Sequence, residues 1–488
     1  MSHDLYAAWA TTEVASVIRT DPAKCFAAPS KLKVSAVASR EAERKWPIVD
    51  GVVVVDINGK PSYDIAIEFK RQNEGLHGVL TAIGQGHAYL HKGYSGAVLV
   101  LPSKYETHSN AGAHVQSILN ATSAALPIGL FTYTDPDPTQ TSPFHGKLTC
   151  LKNIELDKGT AVVKKPIKSR VETLWGHVRE GSTDAHALFC YLQTAKILTI
   201  GDTSEPTPTI PPDLAKIIAH YFPKWDLCKF LGNSPGDSFH DKVWRIFWFK
   251  YVLHDAAIPP WHKHSGKYVA NKIPSKIMQS DGTPKYFFVG RTDSIKDRLI
   301  AALNSGTITE DAALREYAEN INNRAHSYRE DIDSGLAALG LLDPDGKPTD
   351  LGYRFVDTCE RTMQTNAGTA KSILGAALLR NANFGAFLHY AYKVTEECMH
   401  ADPLSFSTNK GRTFDQKEYR LWLEKTFAEK LGIMRKVSAR GGSARLPFQA
   451  EFAILRQFDL IKSYRAGVGL EINWPIVQEL MEFDIGQG

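Results

Sequence analysis

The sequence predicts an α/β layer in the N-terminal third of the chain followed by a mostly helical region. Three patterns carry that expectation. Two β-rich runs flank Asn58-Gly59 between Gly51 and Lys70. From Val79 to Tyr133, stretches of helical spacing alternate with short apolar runs. Beyond two Pro-rich breaks the chain takes helical spacing and becomes rich in aromatic residues. At 488 residues there is length for two to four domains with sizeable cores.

Residues 1–34 read as mixed, a short helix and a loop. Ser39-Arg40-Glu41-Ala42-Glu43 then falls in an expected helix, with Glu41 on the face of Val34, Val37 and Ala38. Next comes the run Gly51-Val52-Val53-Val54-Val55-Asp56-Ile57, the turn Asn58-Gly59-Lys60-Pro61, and the run Tyr63 to Lys70, which together read as a hairpin. In the second run Ile65, Ile67 and Phe69 share one face, and Asp64, Ala66, Glu68 and Lys70 share the other.

Register then selects an acidic partner for Glu68 and Lys70. Centring the turn between Asn58 and Pro61 pairs Glu68 with about Gly51 and puts Asp50 beside it. Asp56 falls near Tyr63, by the turn. Asp64 is four residues from Glu68, roughly 13 Å along a strand and too far to share a metal ion. Asp50, Glu68 and Lys70 are therefore the triple expected to converge. Two carboxylates suit a hard divalent cation such as Mg²⁺. A lysine beside them can orient water or stabilise charge developing on phosphorus.

Helical spacing over Val79 to Leu90 places Gln85 and Tyr89 one turn apart on one face. A buried strand from Gly96 to Pro102, a helix near His108 to Ala124 and a strand from Pro127 to Tyr133 complete the layer. Glu74 and His77, just after Lys70, lie near the expected site; a structural role in a loop is the first reading and assistance to the site the alternative.

This order of features resembles the PD-(D/E)XK nuclease superfamily, the fold of many restriction endonucleases and RecB-like nucleases. Asp50 at the opening of one strand and Glu68-Phe69-Lys70 at the close of the next stand where that pattern has its acids and lysine. The proline stands at Pro47 rather than directly before the aspartate. Gln85 and Tyr89 match the Gln-x-x-x-Tyr helix of RecB-like members. The likeness spans roughly residues 30 to 135, about a quarter of the chain. It implies a restriction-endonuclease-like core in which Asp50 and Glu68, with Glu41 (or Glu43), hold Mg²⁺. Lys70 would position the attacking water and Gln85 would steady the site.

The remainder is less specific. A composition of 43% hydrophobic and 23% charged residues places the chain among soluble globular proteins. No apolar run approaches a membrane span and the N-terminus lacks signal-peptide character, so a cytoplasmic protein with no membrane partner is expected. Six scattered cysteines without a CxxC pair read as reduced core residues and argue against a zinc or iron–sulfur site. The net charge of +4 is too small to imply nucleic acid, so clustering must decide.

The organisation read from the sequence is a nuclease-like domain over 1–160, a basic, Pro-rich connector over 161–212 and a helical domain over 213–310. Winged-helix-like domains over 311–400 and 401–488 follow. The first wing is read from a helix bearing Ile332, Leu336 and Leu339, then a Pro/Gly turn from Gly340 to Gly352 and a helix from Tyr353. The second comes from a helix over Glu451 to Leu460 followed by the ribbon Ile461 to Ile472. Two acid-free loops are expected to contact DNA phosphates. One carries Lys263, Lys267, Lys272 and Lys276. The other carries Arg435, Lys436, Arg440 and Arg445 around Gly441-Gly442.

His262-x-His264 has no third ligand at helical spacing, and Gly368-Thr369-Ala370-Lys371-Ser372 lacks the ending of a phosphate loop. The expected function is a Mg²⁺-dependent DNA endonuclease similar to Type II or modification-dependent restriction enzymes, acting on double-stranded DNA as a homodimer. The alternatives are a repair or phage-defence nuclease acting with a partner, and a DNA-binding regulator with an inactive nuclease fold.

Overall fold

The structure is a computed structural model. It describes residues 3–27, 32–38, 47–57, 63–105, 108–137, 139–140, 142–145, 148–157, 172–178, 184–201, 238–253, 261–271, 274–278, 282–286, 295–435 and 446–485. The chain forms two compact units. One joins residues 1–177 with 375–484, and the other comprises residues 178–374 with the last four residues.

The first unit is built on a six-stranded mixed sheet in the order β1 (Leu32–Val37), β2 (Gly51–Ile57), β3 (Tyr63–Phe69), β4 (Gly96–Pro102), β5 (Ile128–Tyr133), β6 (Thr149–Lys152). β1, β2 and β3 run antiparallel, β3, β4 and β5 run parallel, and β6 returns antiparallel. Helix α1 (His3–Thr20) packs across β1, β2 and β3. Helix α2 (Gly75–Lys92) lies on β3 and β4, and α3 (Ala111–Thr122) on β4, β5 and β6. Gly51 shows why alternate residues of β2 face different helices: a Cβ there would collide with Thr11 of α1. Val52 and Val54, on the other parity, join the core formed with Val79 and Ala82 of α2 and Val115 and Leu119 of α3. Both faces are covered, so Ile65 through Phe69 are buried in succession.

Two expectations for the N-terminus are corrected here. Residues 3–20 form one helix of eighteen residues, not a short helix and a loop. It buries Leu5, Trp9, Val14 and Ile18 together with four alanines. Val34 and Val37 lie in strand β1, where an odd spacing sends them to opposite faces, so the helical face proposed for Glu41 does not exist there. β1 pairs with β2 from Leu32↔Ile57 to Val37↔Val52. Its outer side is met by the C-terminal part of the same unit. Ala36 N donates to Gly432 O (2.7 Å), and Arg19 Nη2 donates to Val34 O (3.2 Å) and Leu431 O (3.1 Å).

That C-terminal part is mostly helical, with helices Phe384–Ala401, Gln416–Lys425, Gln449–Gln457 and Trp474–Glu482. The expected ribbon is present. The strand Ile461–Arg465 pairs with the strand Gly469–Ile472, and Gly467 in the turn has φ +75°, a conformation that favours glycine.

In the second unit, α4 (Ala185–Ile200) and helices Phe239–Phe247, Ile295–Asn304, Glu310–Ala338 and Asp350–Thr362 accompany two hairpins. One pairs β7 (Trp261–His264) with β8 (Lys267–Ala270), the other β9 (Pro274–Met278) with β10 (Pro284–Tyr286). The Gly340 to Gly352 turn holds a single bridge, Leu342↔Pro348, in place of two short strands. Asp343 Oδ1 accepts from Asp345 N and Lys347 N (both 2.9 Å), and Thr349 caps a helix that starts at Asp350, three residues earlier than expected.

Candidate active site

Asp50 immediately precedes β2, and Glu68 and Lys70 stand at the end of β3. The ladder pairs Gly51 with Ile67, one residue away from the expected Gly51–Glu68 pairing. One further step sets Asp50 opposite Glu68, and the Asp50 amide donates to Ile67 O at 3.0 Å. The shift tightens the convergence, because residues directly opposite in an antiparallel pair share a face. Asp50 Oδ2 then accepts from Phe69 N at 2.7 Å. Lys70 Nζ lies 2.8 Å from Glu68 Oε1, in an ion pair whose side chains are 12% and 2% exposed. The three expected residues come together.

Helix α2 supplies the roof. Tyr89 is fully buried, and its hydroxyl donates to Glu68 Oε2 with Ile48 O 3.0 Å away. One turn earlier, Gln85 Oε1 is buried and has no hydrogen-bond partner. Lys92 Nζ donates to Pro47 O (2.7 Å), so α2 holds the carbonyls of Pro47 and Ile48 just upstream of Asp50. Of the Gln85 and Tyr89 pair, Tyr89 is the one whose side chain bonds the Glu68 carboxylate. Tyr89→Phe removes a buried donor from a buried carboxylate. It should cost about 1–3 kcal/mol of stability, checked by thermal denaturation.

Burial and the facing Glu68 carboxylate push Asp50 up to about 7, against the opposing charges of His3 and Lys70. Lys70 moves the other way from a buried lysine: burial pulls it down, but the carboxylates of Glu68, Glu74 and Asp50 outweigh burial and raise it. Tyr89 is raised by burial and by the two acids. Two like charges forced together in a half-closed site are the electrostatic situation a divalent cation relieves.

Sequence reasoning missed His3. From the first turn of α1, its Nε2 lies 2.9 Å from Phe69 O, 3.6 Å from Glu74 Oε1 and 3.9 Å from Asp50 Oδ2. Burial would lower His3, but the bond to Asp4 and the charge of Asp50 raise it to about 9. No local signal marks a histidine so far along the chain from its partners; only the α1 packing on β2 and β3 brings it there.

The two facing carboxylates, Asp50 and Glu68, are hard oxygen donors that fit Mg²⁺. Among the described residues, no group of three or more His, Cys, Asp and Glu has metal-binding geometry. Glu41 and Glu43, the expected third acid and its fallback, lie outside the described residues.

The basic loops fare differently from each other. Lys263 and Lys267 lie on a hairpin rather than a loop: β7 and β8 pair through Ser265 and Gly266, at φ 50° and 79°. Both lysines are exposed, and Trp261 is buried at the base. Arg435 is not a free surface cation. Its Nη2 pairs with Asp56 Oδ1 at 3.2 Å and its side chain is 20% exposed. Lys272, Lys436, Arg440 and Arg445 lie outside the described residues. No family model matches the chain, and no curated protein matches it.

Proposed function

We propose that the chain is a Mg²⁺-dependent nuclease of the PD-(D/E)XK kind that hydrolyses phosphodiester bonds in double-stranded DNA, most economically as a site-specific restriction endonuclease. One observation carries the reading: Asp50, Glu68 and Lys70 meet where β2 begins and β3 ends, with the Tyr89 hydroxyl on Glu68. Asp50 and Glu68 are the residues that would hold Mg²⁺, which when bound withdraws charge from the phosphoryl oxygens. Lys70 stabilises the charge that builds on phosphorus and orients the attacking water. Gln85 Oε1 accepts a hydrogen bond from that water or its neighbour. Attack is in line, and the 3′ oxygen leaves. Two sites cut two strands, which a two-fold dimer supplies.

The test is a supercoiled plasmid incubated with the protein in Mg²⁺ and in EDTA. Discrete Mg²⁺-dependent bands support a restriction enzyme, and a smear supports a processing nuclease. Intact plasmid over a range of sequences and modifications would remove the enzymatic reading.

DNA contact is assigned to the exposed β7–β8 hairpin and to the helix–ribbon segment over 449–472, which has the order of a winged helix. Lys263 and Lys267 should release counterions when they meet phosphates. Reversing both charges should therefore flatten the dependence of log affinity on log salt by about 2, measured by fluorescence anisotropy on a duplex. An unchanged slope would take the hairpin out of the interface.

A further inference from the structure

Glu74 is held in place at the start of α2. Its Oε1 accepts from Arg71 N at 2.9 Å, with Arg71 Nε 3.4 Å and His3 Nε2 3.6 Å away. Its Oε2 lies 3.5 Å from Lys70 Nζ. Gly78, one turn further on, leaves the room this needs. A Cβ there would stand 2.8 Å from Glu74 Cβ, 3.4 Å from Glu74 Oε2 and 3.8 Å from Lys70 Cδ. The Lys70 ammonium is thus placed between two carboxylates, Glu68 at 2.8 Å and Glu74 at 3.5 Å.

We propose that Glu74 is a positioning residue that takes over the Lys70 ammonium when Glu68 turns its Oε1 to a divalent cation. The inference rests on the nuclease reading above and concerns the order of events within that site. Both Glu68 oxygens are engaged, one by Lys70 and one by Tyr89. A cation that approaches Oε1 meets the ammonium already there. Lys70 cannot simply be released, because a largely buried ammonium without a partner is costly. Glu74 resolves the conflict. Its Oε1 is anchored to the Arg71 backbone, which leaves Oε2 presented to Lys70 within a small side-chain rotation. Lys70 then stays in the site for catalysis and ceases to compete for Glu68.

The test titrates Mn²⁺, an oxygen-preferring stand-in for Mg²⁺, into DNA-free full-length protein and follows free ion by electron paramagnetic resonance. Glu74→Gln keeps an acceptor for the Arg71 amide and removes the charge. It should weaken Mn²⁺ binding roughly ten- to a hundredfold, the scale seen when a residue supporting a ligand is lost. Adding Lys70→Met to Glu74→Gln should restore the wild-type affinity, since the competitor is gone. Gly78→Ala, which pushes on Glu74, should behave as Glu74→Gln does and be rescued in the same way. If Lys70→Met does not rescue, Glu74 has only a structural role and the proposal fails. If Glu74→Gln leaves binding unchanged while Asp50→Asn abolishes it, the proposal fails and the nuclease site stands. If the wild-type protein binds no Mn²⁺, both fail.

Discussion

Asp50→Asn and Glu68→Gln should each reduce Mg²⁺-dependent cleavage by at least about 10²–10³-fold, the scale of losing one electrostatic contact to a transition state. Duplex binding should stay near wild type. The two carboxylates stand on adjacent strands and face the same side, so neither can cover for the other. Asp50→Asn keeps its local hydrogen bond, whereas Glu68→Gln keeps the Tyr89 bond but turns an amide NH2 group toward Lys70 Nζ. In Asp50→Asn the new amide oxygen can still accept from Phe69 N, and in Glu68→Gln the new amide oxygen can still accept from the Tyr89 hydroxyl. Loss of activity in Asp50→Asn then reports the charge, not a collapsed site. Asp64→Asn is the matched control. Asp64 lies further back on β3, opposite Val54, where burial raises it to about 6 and Arg435 opposes that rise. Single-turnover cleavage of a labelled duplex measures all three. Wild-type rates in Asp50→Asn or Glu68→Gln would sink the site, as would an Asp64→Asn variant as inactive as they are.

The parts of this site that were legible are those encoded by neighbours in sequence. A strand period of two puts Glu68 and Lys70 on one face, a turn fixes their partner strand to within one residue, and helical spacing joins Gln85 to Tyr89. The parts that were not legible depend on long-range packing. α1 mixes small, polar and apolar residues, burying Thr11 and Thr12 beside Leu5, Trp9, Val14 and Ile18, and gives no clear amphipathic signature until it is placed on the sheet. β1 is a strand because β2 pairs with it and residues near Gly432 cover its outer side. The same segment carries Arg435, which charge counting assigns to DNA and the fold assigns to Asp56. Acid-free sequence around Lys263 indicated positive charge correctly, but it could not distinguish a loop from the hairpin that Ser265-Gly266 permits. Because residues 375–484 belong to the unit that holds the sheet, a fragment ending near Arg170 would lose the cover over β1 as well as any recognition elements.

In metal-free buffer above neutral pH, Asp50→Asn should make the protein more stable than wild type. The sign follows from where the carboxyl titrates. Its ordinary value is 3.8, and in the folded protein burial and Glu68 lift it to about 7. Between those two pH values the folded protein holds a proton that the unfolded chain has released. Wild-type stability is therefore full below about pH 4, falls as pH rises to about 7, and levels off above that. The full linkage would be worth ~4 kcal/mol. The Asp50 side chain is 21% exposed and His3 lies 3.9 Å away, which brings the expectation to about 1–3 kcal/mol. His3, Glu68, Lys70 and Glu74 all face this corner and titrate or carry charge, so the quantity to measure is the difference between the two proteins. That difference reports Asp50 together with its attraction to His3 and Lys70, both of which Asp50 helps to raise. Denaturation midpoints taken with EDTA from pH 4 to pH 8 should show the gap opening with rising pH in favour of Asp50→Asn. Adding Mg²⁺ at pH 8 should close it by stabilising the wild type alone, because only that protein retains both carboxylates. A gap that does not change with pH, or Mg²⁺ stabilisation equal in both proteins, would mean that Asp50 and Glu68 do not repel each other across a cation site.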